Sequence, residues 1–300
     1  MAGANSQKTI LYAMGANGAI AIAKLAAAAI TGSSAMLAEG IHSLADTGNQ
    51  LLLLLGLKRS GRPPDDLHPL GYGKTIYVWS FIVAIILFSV GGMYSILEGW
   101  HKLHDPHALS WPWLAIAIVL FAIVAESISL RTAIIEINKV RGPRSLWQWF
   151  HQSRASELIV IFGEDVAALL GLVFALLAVG LTMLTGNPVF DALGTLAIGI
   201  LLIVIAVLIG VEIKAMLIGE SIDPLEQARM FEFLGARPEV DQVLNMITLQ
   251  LGTDVLVSLK LRMDQPDGRR LVEEINSLER DFRAAFPQTV WLFVEPDLVE

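Results

Sequence analysis

Six stretches of this chain are apolar over the length of a bilayer core, which takes roughly 20 helical residues to cross. They fall at about 9–31, 34–57, 75–100, 111–137, 157–184 and 189–217. From about residue 219 the pattern shortens to that of a soluble fold. Pro224 to Leu234 reads as a helix, introduced by Asp223 as a cap and by a proline at the first helical position. Val243 to Gln250 and Asp254 to Met263 alternate apolar and polar residues on either side of Gly252, the pattern of a hairpin. Leu271 to Phe286 has the spacing of an amphipathic helix, and Val290 to Val294 reads as a final strand. The predicted fold class is an α-helical membrane protein, with six transmembrane helices followed by a small cytosolic α+β domain in αββαβ order. The two domains are placed at 1–218 and 219–300.

Composition sharpens this picture. With 54% hydrophobic and 17% charged residues, the chain is too apolar for an ordinary soluble domain. Its basic residues are also unevenly placed. Lys58, Arg59, Arg62 and Lys74 flank the second connection, and Arg131, Lys139, Arg141, Arg144 and Arg154 surround the fourth. The remaining connections contain only Lys102. Basic residues favour the cytoplasmic side, so both termini and the acidic tail are expected in the cytoplasm. The first run lacks a small-residue cleavage pattern and reads as a retained helix. A chain without a targeting extension has the cytoplasmic membrane as its default location. The net charge of −8 argues against nucleic acid as a partner. The absence of cysteine excludes disulfides, thiolate zinc sites and iron–sulfur ligation.

Ionisable groups at membrane depth are costly and usually mark a site or pathway. The second run carries Glu39, His42, Asp46, Asn49 and Gln50. His42 and Asp46 are one turn apart on one helix face, about 6 Å along the axis. An imidazole and a carboxylate so placed are good ligands for a zinc-like dication. The fifth run holds the adjacent carboxylates Glu164 and Asp165. Asp46 lies 11 residues before Leu57, and Asp165 lies 8 residues after Glu157. At about 1.5 Å per residue the two depths differ by only a few ångströms, so these helices can build one site between them.

Other polar positions admit two readings. Asn17 is either an interhelical hydrogen-bonding group or a pore-lining group near the metal. Lys24 needs a partner, and Glu126 on the fourth run is a candidate counter-ion or part of a proton path. Asp65 and His68 form either a solvated turn or a weak second metal site. His101, His104 and His107 cluster with Asp105 as solvated loop histidines or as a cation-gathering patch. Trp147-Gln-Trp-Phe150 reads as interfacial anchoring. Asp191 reads as a carboxylate in the first turn of the sixth run, where the helix dipole favours it.

Together these features resemble the cation diffusion facilitator family over nearly the whole chain. The most specific motifs are Ala38-Glu-Gly-Ile-His-Ser-Leu-Ala-Asp46 and His68-Pro-Leu-Gly-Tyr-Gly-Lys74. The Glu164-Asp165 pair and Thr185-Gly-Asn-Pro188 resemble the zinc-transporter-nine-like branch. The resemblance implies a homodimer in a lipid bilayer that exchanges a divalent cation, usually zinc, for protons. No resident cofactor is implied, because the dication is cargo. The family's site takes two ligands from the second helix, here His42 and Asp46, and two from the fifth at i,i+4 spacing. Asp165 fits the later of these, but the earlier position is Ile161, which has no ligating atom. Glu164 lies about 60° around the helix from that position and has the reach to supply the missing oxygen. Tyr72 stands where some relatives carry a loop histidine, which weakens a second site at Asp65 and His68. The tail has no histidine for a regulatory metal.

The donor set of one imidazole and up to three carboxylates favours zinc, with manganese the alternative if Asn17 joins the site. A membrane enzyme using His42 as a base lacks a nucleophile, since Ser43 points about 100° away from it. A non-transporting metal sensor or scaffold is the other rival class, and a flux assay separates it from a transporter.

Overall fold

The computed structural model describes residues 3–107 and 109–299, without the side chains of residues 3–14 and 16. Helices α1 (Gly3–Thr31), α2 (Ser34–Ser60) and α3 (Thr75–Ile86) come first, and α3 runs through a π-helical stretch, Leu87–Met93, into α4 (Tyr94–His104). Then follow α5 (Pro112–Val140), the short α6 (Leu146–Gln152), α7 (Ser156–Thr185) and α8 (Val189–Ile218). The chain closes with α9 (Pro224–Gly235), β1 (Gln242–Leu251), β2 (Asp254–Arg262), α10 (Gly268–Ala285) and β3 (Thr289–Pro296).

Among the described residues, four helical runs are long and apolar enough to cross a membrane: Thr75–His104, Pro112–Val140, Ser156–Thr185 and Val189–Ile218. Six were expected. The apolar part of α1, Asn17–Thr31, is shorter. Helix α2 has the length, but Glu39, His42, Asp46, Asn49 and Gln50 dilute its apolar character.

The chain forms two compact units. The first comprises Met1–Gly56, Trp79–Arg144 and Ser156–Ile213. Within it, α5 packs on both α7 and α1. The π-helical stretch and α4 approach α8 closely enough that side chains are excluded. A Cβ on Gly92 would stand 3.2 Å from the Ile203 backbone nitrogen, and one on Gly199 would stand 2.8 Å from that of Ile96. Small residues of this kind let helices approach closely in lipid. Asp191 does more than the first-turn role expected of it. It is fully buried and accepts hydrogen bonds from Ser33 Oγ (2.6 Å), Ser34 N (2.8 Å) and Ser34 Oγ (2.9 Å). One carboxylate thus occupies the first turn of α8 and satisfies an otherwise orphaned amide at the start of α2.

The second unit comprises Leu57–Val78, Ser145–Ala155 and Lys214–Glu300. Its αββαβ order and element positions follow the periodicity of the sequence. Strand β2 is central, antiparallel to β1 and parallel to β3. Its buried positions alternate through Val255, Val257, Leu259 and Leu261, which face Leu278 and Phe282 of α10 and Met230 and Leu234 of α9 in one core. Gly252 turns the β1–β2 hairpin with a φ of +70°, which glycine adopts at no steric cost. Its amide donates to Tyr77 Oη at 3.0 Å. Arg154 binds the same unit's tail segment through Ser221 O at 2.7 Å and Glu220 at 3.3 Å.

The aromatic segment 147–150 departs from the expectation of interfacial anchoring. Ser145 and Gln148 form a reciprocal capping box that starts α6. That helix buries Trp149 and Phe150 and leaves only Trp147 of the three rings exposed, at 61%.

Candidate metal centre

Helix α2 presents one polar face to the interior. His42, Asp46, Asn49 and Gln50 recur at the i, i+4, i+7, i+8 spacing of a single helical stripe. His42 is 0% exposed and Asp46 8%. His42 Nδ1 lies 3.5 Å from Asp46 Oδ1, an ion-pair distance without hydrogen-bond geometry. Both imidazole nitrogens, Asp46 Oδ1, Asn49 Oδ1 and Gln50 Oε1 have no hydrogen-bond partner among the described residues. Each buried polar atom left in that state costs about 1–3 kcal/mol. A fold retains such a cost where the groups serve something other than stability.

Helix α7 meets this stripe through one side-chain hydrogen bond. Asn49 Nδ2 donates to Glu164 Oε1 at 2.6 Å, three residues along α2 from Asp46. The neighbouring Asp165 accepts from Ser129 Oγ of α5 at 3.1 and 3.2 Å. The carboxylates of Glu164, Glu126 and Asp165 all lie within electrostatic range of Asp46. Each side chain nonetheless has its own arrangement. Among the described residues, no three His, Asp or Glu side chains converge tightly enough to hold an ion. Ile161 is half-buried on α7. Gly91 of the π-helical stretch neighbours His42, since a Cβ there would lie at an ordinary contact distance of 3.9 Å from Nδ1. π-Helical stretches in long helices often fall at functional positions.

Beside the stripe lies a second buried cluster. Lys24 of α1 is fully buried, with Nζ 2.7 Å from Ser43 Oγ, 3.2 Å from Glu39 Oε2 and 3.8 Å from Glu126 Oε1. Glu126 is therefore a counter-ion of Lys24, one of the two readings the sequence left open. Glu39 is the nearer partner; sequence reading named Glu39 and Asn49 without assigning them partners, and gave Ser43 and Ser129 no role in the site. For Glu39 and Asn49 the signal was present, because both fall on the buried face of α2. Ser129 carried none, since an isolated serine in an apolar helix most often bonds its own backbone. Asn17 is half-buried on α1, and no hydrogen bond ties it to the His42–Asp46 pair.

The Asp65–His68 loop is organised internally. Asp65 Oδ1 accepts from His68 N at 2.7 Å and Leu67 N at 3.1 Å, and Oδ2 accepts from Tyr72 Oη at 2.6 Å. The Tyr72 hydroxyl, then the His68 amide, hold this carboxyl below its ordinary range. His68 Nδ1 stands 3.3 Å from Asp65 Oδ1. The carboxylate is thus a turn-forming group. His104 and His107 use Nδ1 on the carbonyls of Trp100 and Asp105, and both side chains are exposed.

Long apolar helices enclosing an imidazole, a carboxylate neighbour and further buried acids are the features of an integral membrane protein with a polar interior. The comparison with known sequences makes this specific. The chain belongs to the cation efflux family, since residues 10–218 match the model of the cation efflux transmembrane domain. This is the family anticipated from the motifs at 38–46 and 68–74. The chain is 39% identical over 265 residues to the "Proton-coupled zinc antiporter SLC30A9, mitochondrial" of Xenopus laevis, covering 87% of this chain and 47% of that protein. It is 36% identical over 248 residues to the Homo sapiens protein of the same name, covering 82% and 44%. Metal tolerance protein C4 of Arabidopsis thaliana is 30% identical over 241 residues, covering 80% and 53%. The chain spans about half the length of these relatives.

Proposed function

We propose that the chain is a proton-coupled antiporter that moves Zn²⁺ across a membrane by alternating access. The observation that carries this reading is the buried His42–Asp46 pair, with both ring nitrogens unsatisfied on a polar stripe that α7 joins through Asn49 and Glu164. The names of the frog and human relatives point to the same cargo and coupling.

In this reading His42, Asp46 and Asp165 bind the dication, and Glu164 supplies the oxygen that Ile161 lacks. The ligands accept Zn²⁺ only when deprotonated, so loading releases protons and unloading takes them up. Histidine, with an ordinary value near 6.5, is suited to exchange around neutral pH. One imidazole among carboxylates favours zinc over manganese. Glu126 is held by Lys24 and stays outside the ligand set. Helices α1 and α2 complete six spans, because Lys24 of α1 and Glu39, His42, Asp46 and Asn49 of α2 are buried. The basic connections place both ends of the chain in the cytoplasm if it resides in the cytoplasmic membrane. The frog and human relatives are named as mitochondrial, which makes an organellar membrane the alternative location. The working unit is a homodimer, as the family resemblance implies.

The test is zinc entry into reconstituted vesicles carrying a zinc-sensitive dye, with and without a pH gradient. His42→Ala and Asp46→Ala should each abolish gradient-driven flux while leaving the oligomeric state unchanged. Normal flux in the double variant would refute the assignment.

A further inference from the structure

The second unit contains a cavity of about 560 Å³ that the transport reading does not use. It is lined by Arg59, Arg62, His68, Tyr72, Lys74 and Val78, with Gly71 and Thr75. Three permanent cations therefore surround it, and no carboxylate lines it. Asp65 of the same loop already accepts from Tyr72 and two backbone amides. The Arg62 guanidinium stands 6.0 Å from the Tyr72 ring centroid, within cation–π range. The orientation rule explains why basic residues occur in this connection, but not why they converge on one cavity. A second dication is disfavoured there by the same three charges.

The geometry points to a phosphate-binding site that takes the headgroup of an anionic phospholipid. Arginine forks and a lysine ammonium are the side chains that recognise phosphate. Two further observations favour a lipid over free phosphate. Arg59 lies in the last turn of α2, and Thr75 opens α3, so the cavity lies where a transmembrane run begins. Val78, which lines the cavity beside the cations, is an apolar side chain left 47% exposed on α3. A phospholipid supplies both chemistries, phosphate for the cations and an apolar chain for Val78. Basic pockets beside transmembrane helices on the anionic leaflet are suited to such headgroups. The inference rests on α3 spanning the membrane and not on zinc transport.

The test is titration calorimetry of the full chain, zinc-free in a neutral detergent, with dihexanoyl-phosphatidylglycerol. Dihexanoyl-phosphatidylcholine and inorganic phosphate serve as comparison ligands. Saturable binding of the anionic lipid is expected. It should weaken roughly 100-fold in the triple variant Arg59→Gln, Arg62→Gln, Lys74→Gln. A charge-matched control, Lys58→Gln, Arg131→Gln, Lys139→Gln, should bind as the parent does. Should the triple variant fail to fold, Arg62→Gln in its exposed loop must alone weaken binding several-fold. Equal loss in the control would reduce the effect to net charge and overturn the site. Equal binding of phosphatidylcholine would do the same. Equal binding of inorganic phosphate would assign the cavity to the free ion and overturn the lipid assignment.

Discussion

Lys24→Met removes the ammonium that joins α1, α2 and α5 while keeping most of the side-chain volume. Lys24 and Glu39 are both 0% exposed, and Glu39 Oε1 already lacks a hydrogen bond. Without Nζ, the remaining Glu39 oxygen loses its partner at 3.2 Å, and Glu126 loses its ion pair at 3.8 Å. Removing one member of a buried pair typically costs about 3–5 kcal/mol, because the other charge stays buried and uncompensated. Against a total stability on the order of 5–15 kcal/mol, that is a large fraction. Adding Glu39→Gln removes the stranded charge and should restore about half of the loss. The assay is denaturant or thermal unfolding in detergent, run as a double-mutant cycle. A coupling energy below about 0.5 kcal/mol, the range of independent sites, would show that the pair does not act as a unit. Parent-like stability of Lys24→Met would refute the reasoning altogether.

Three further outcomes follow from the geometry. Asn49→Ala removes the donor that orients Glu164, and calorimetric zinc affinity should fall about tenfold, as for other orienting partners of metal ligands. An unchanged affinity would remove Asn49 and Glu164 from the centre. Gly92→Ala places a Cβ 2.5 Å from Ile203 Cγ1 and 3.3 Å from Gly199 O, and overpacking of this kind costs about 1–3 kcal/mol in an unfolding measurement. No loss would mean the two helices are not held at that separation. Tyr72→Phe should raise the Asp65 carboxyl towards its ordinary range, as followed by NMR titration. Because the Asp65 pKa is lowered by folding, its contribution to loop stability is present above the unfolded-state value and fades as pH falls through the folded one. In the variant the two values move closer, so that contribution shrinks, and an unshifted titration would show that the hydroxyl does not hold the carboxylate.

Much of the candidate site was legible because its chemistry is local. His42 and Asp46 share a face through helical spacing alone, and Asp165 matches Asp46 in depth by residue count. Other features left no such trace. The π-helical stretch at Leu87–Met93 lies inside an apolar run whose composition gives no sign of the change in winding. Asp65 and His68 have the residue types of a metal site, and only the backbone amides and Tyr72 hydroxyl around Asp65 reveal a turn. Trp149 and Phe150 resemble membrane anchors in composition, yet α6 turns them inward.

The sequence by itself determined the apolar runs, the αββαβ order of the tail, and the polar stripe of α2. These depend on periodicity and on the cost of placing charge in lipid, both of which are written along the chain. The tertiary structure decided which buried polar groups meet: Lys24 with Glu39, Asn49 with Glu164, Asp165 with Ser129, and Asp191 with the start of α2. Those pairings depend on which helices are neighbours and how each is rotated. Both are set by close packing at contacts such as Gly92 against α8, and a linear pattern does not encode that distance.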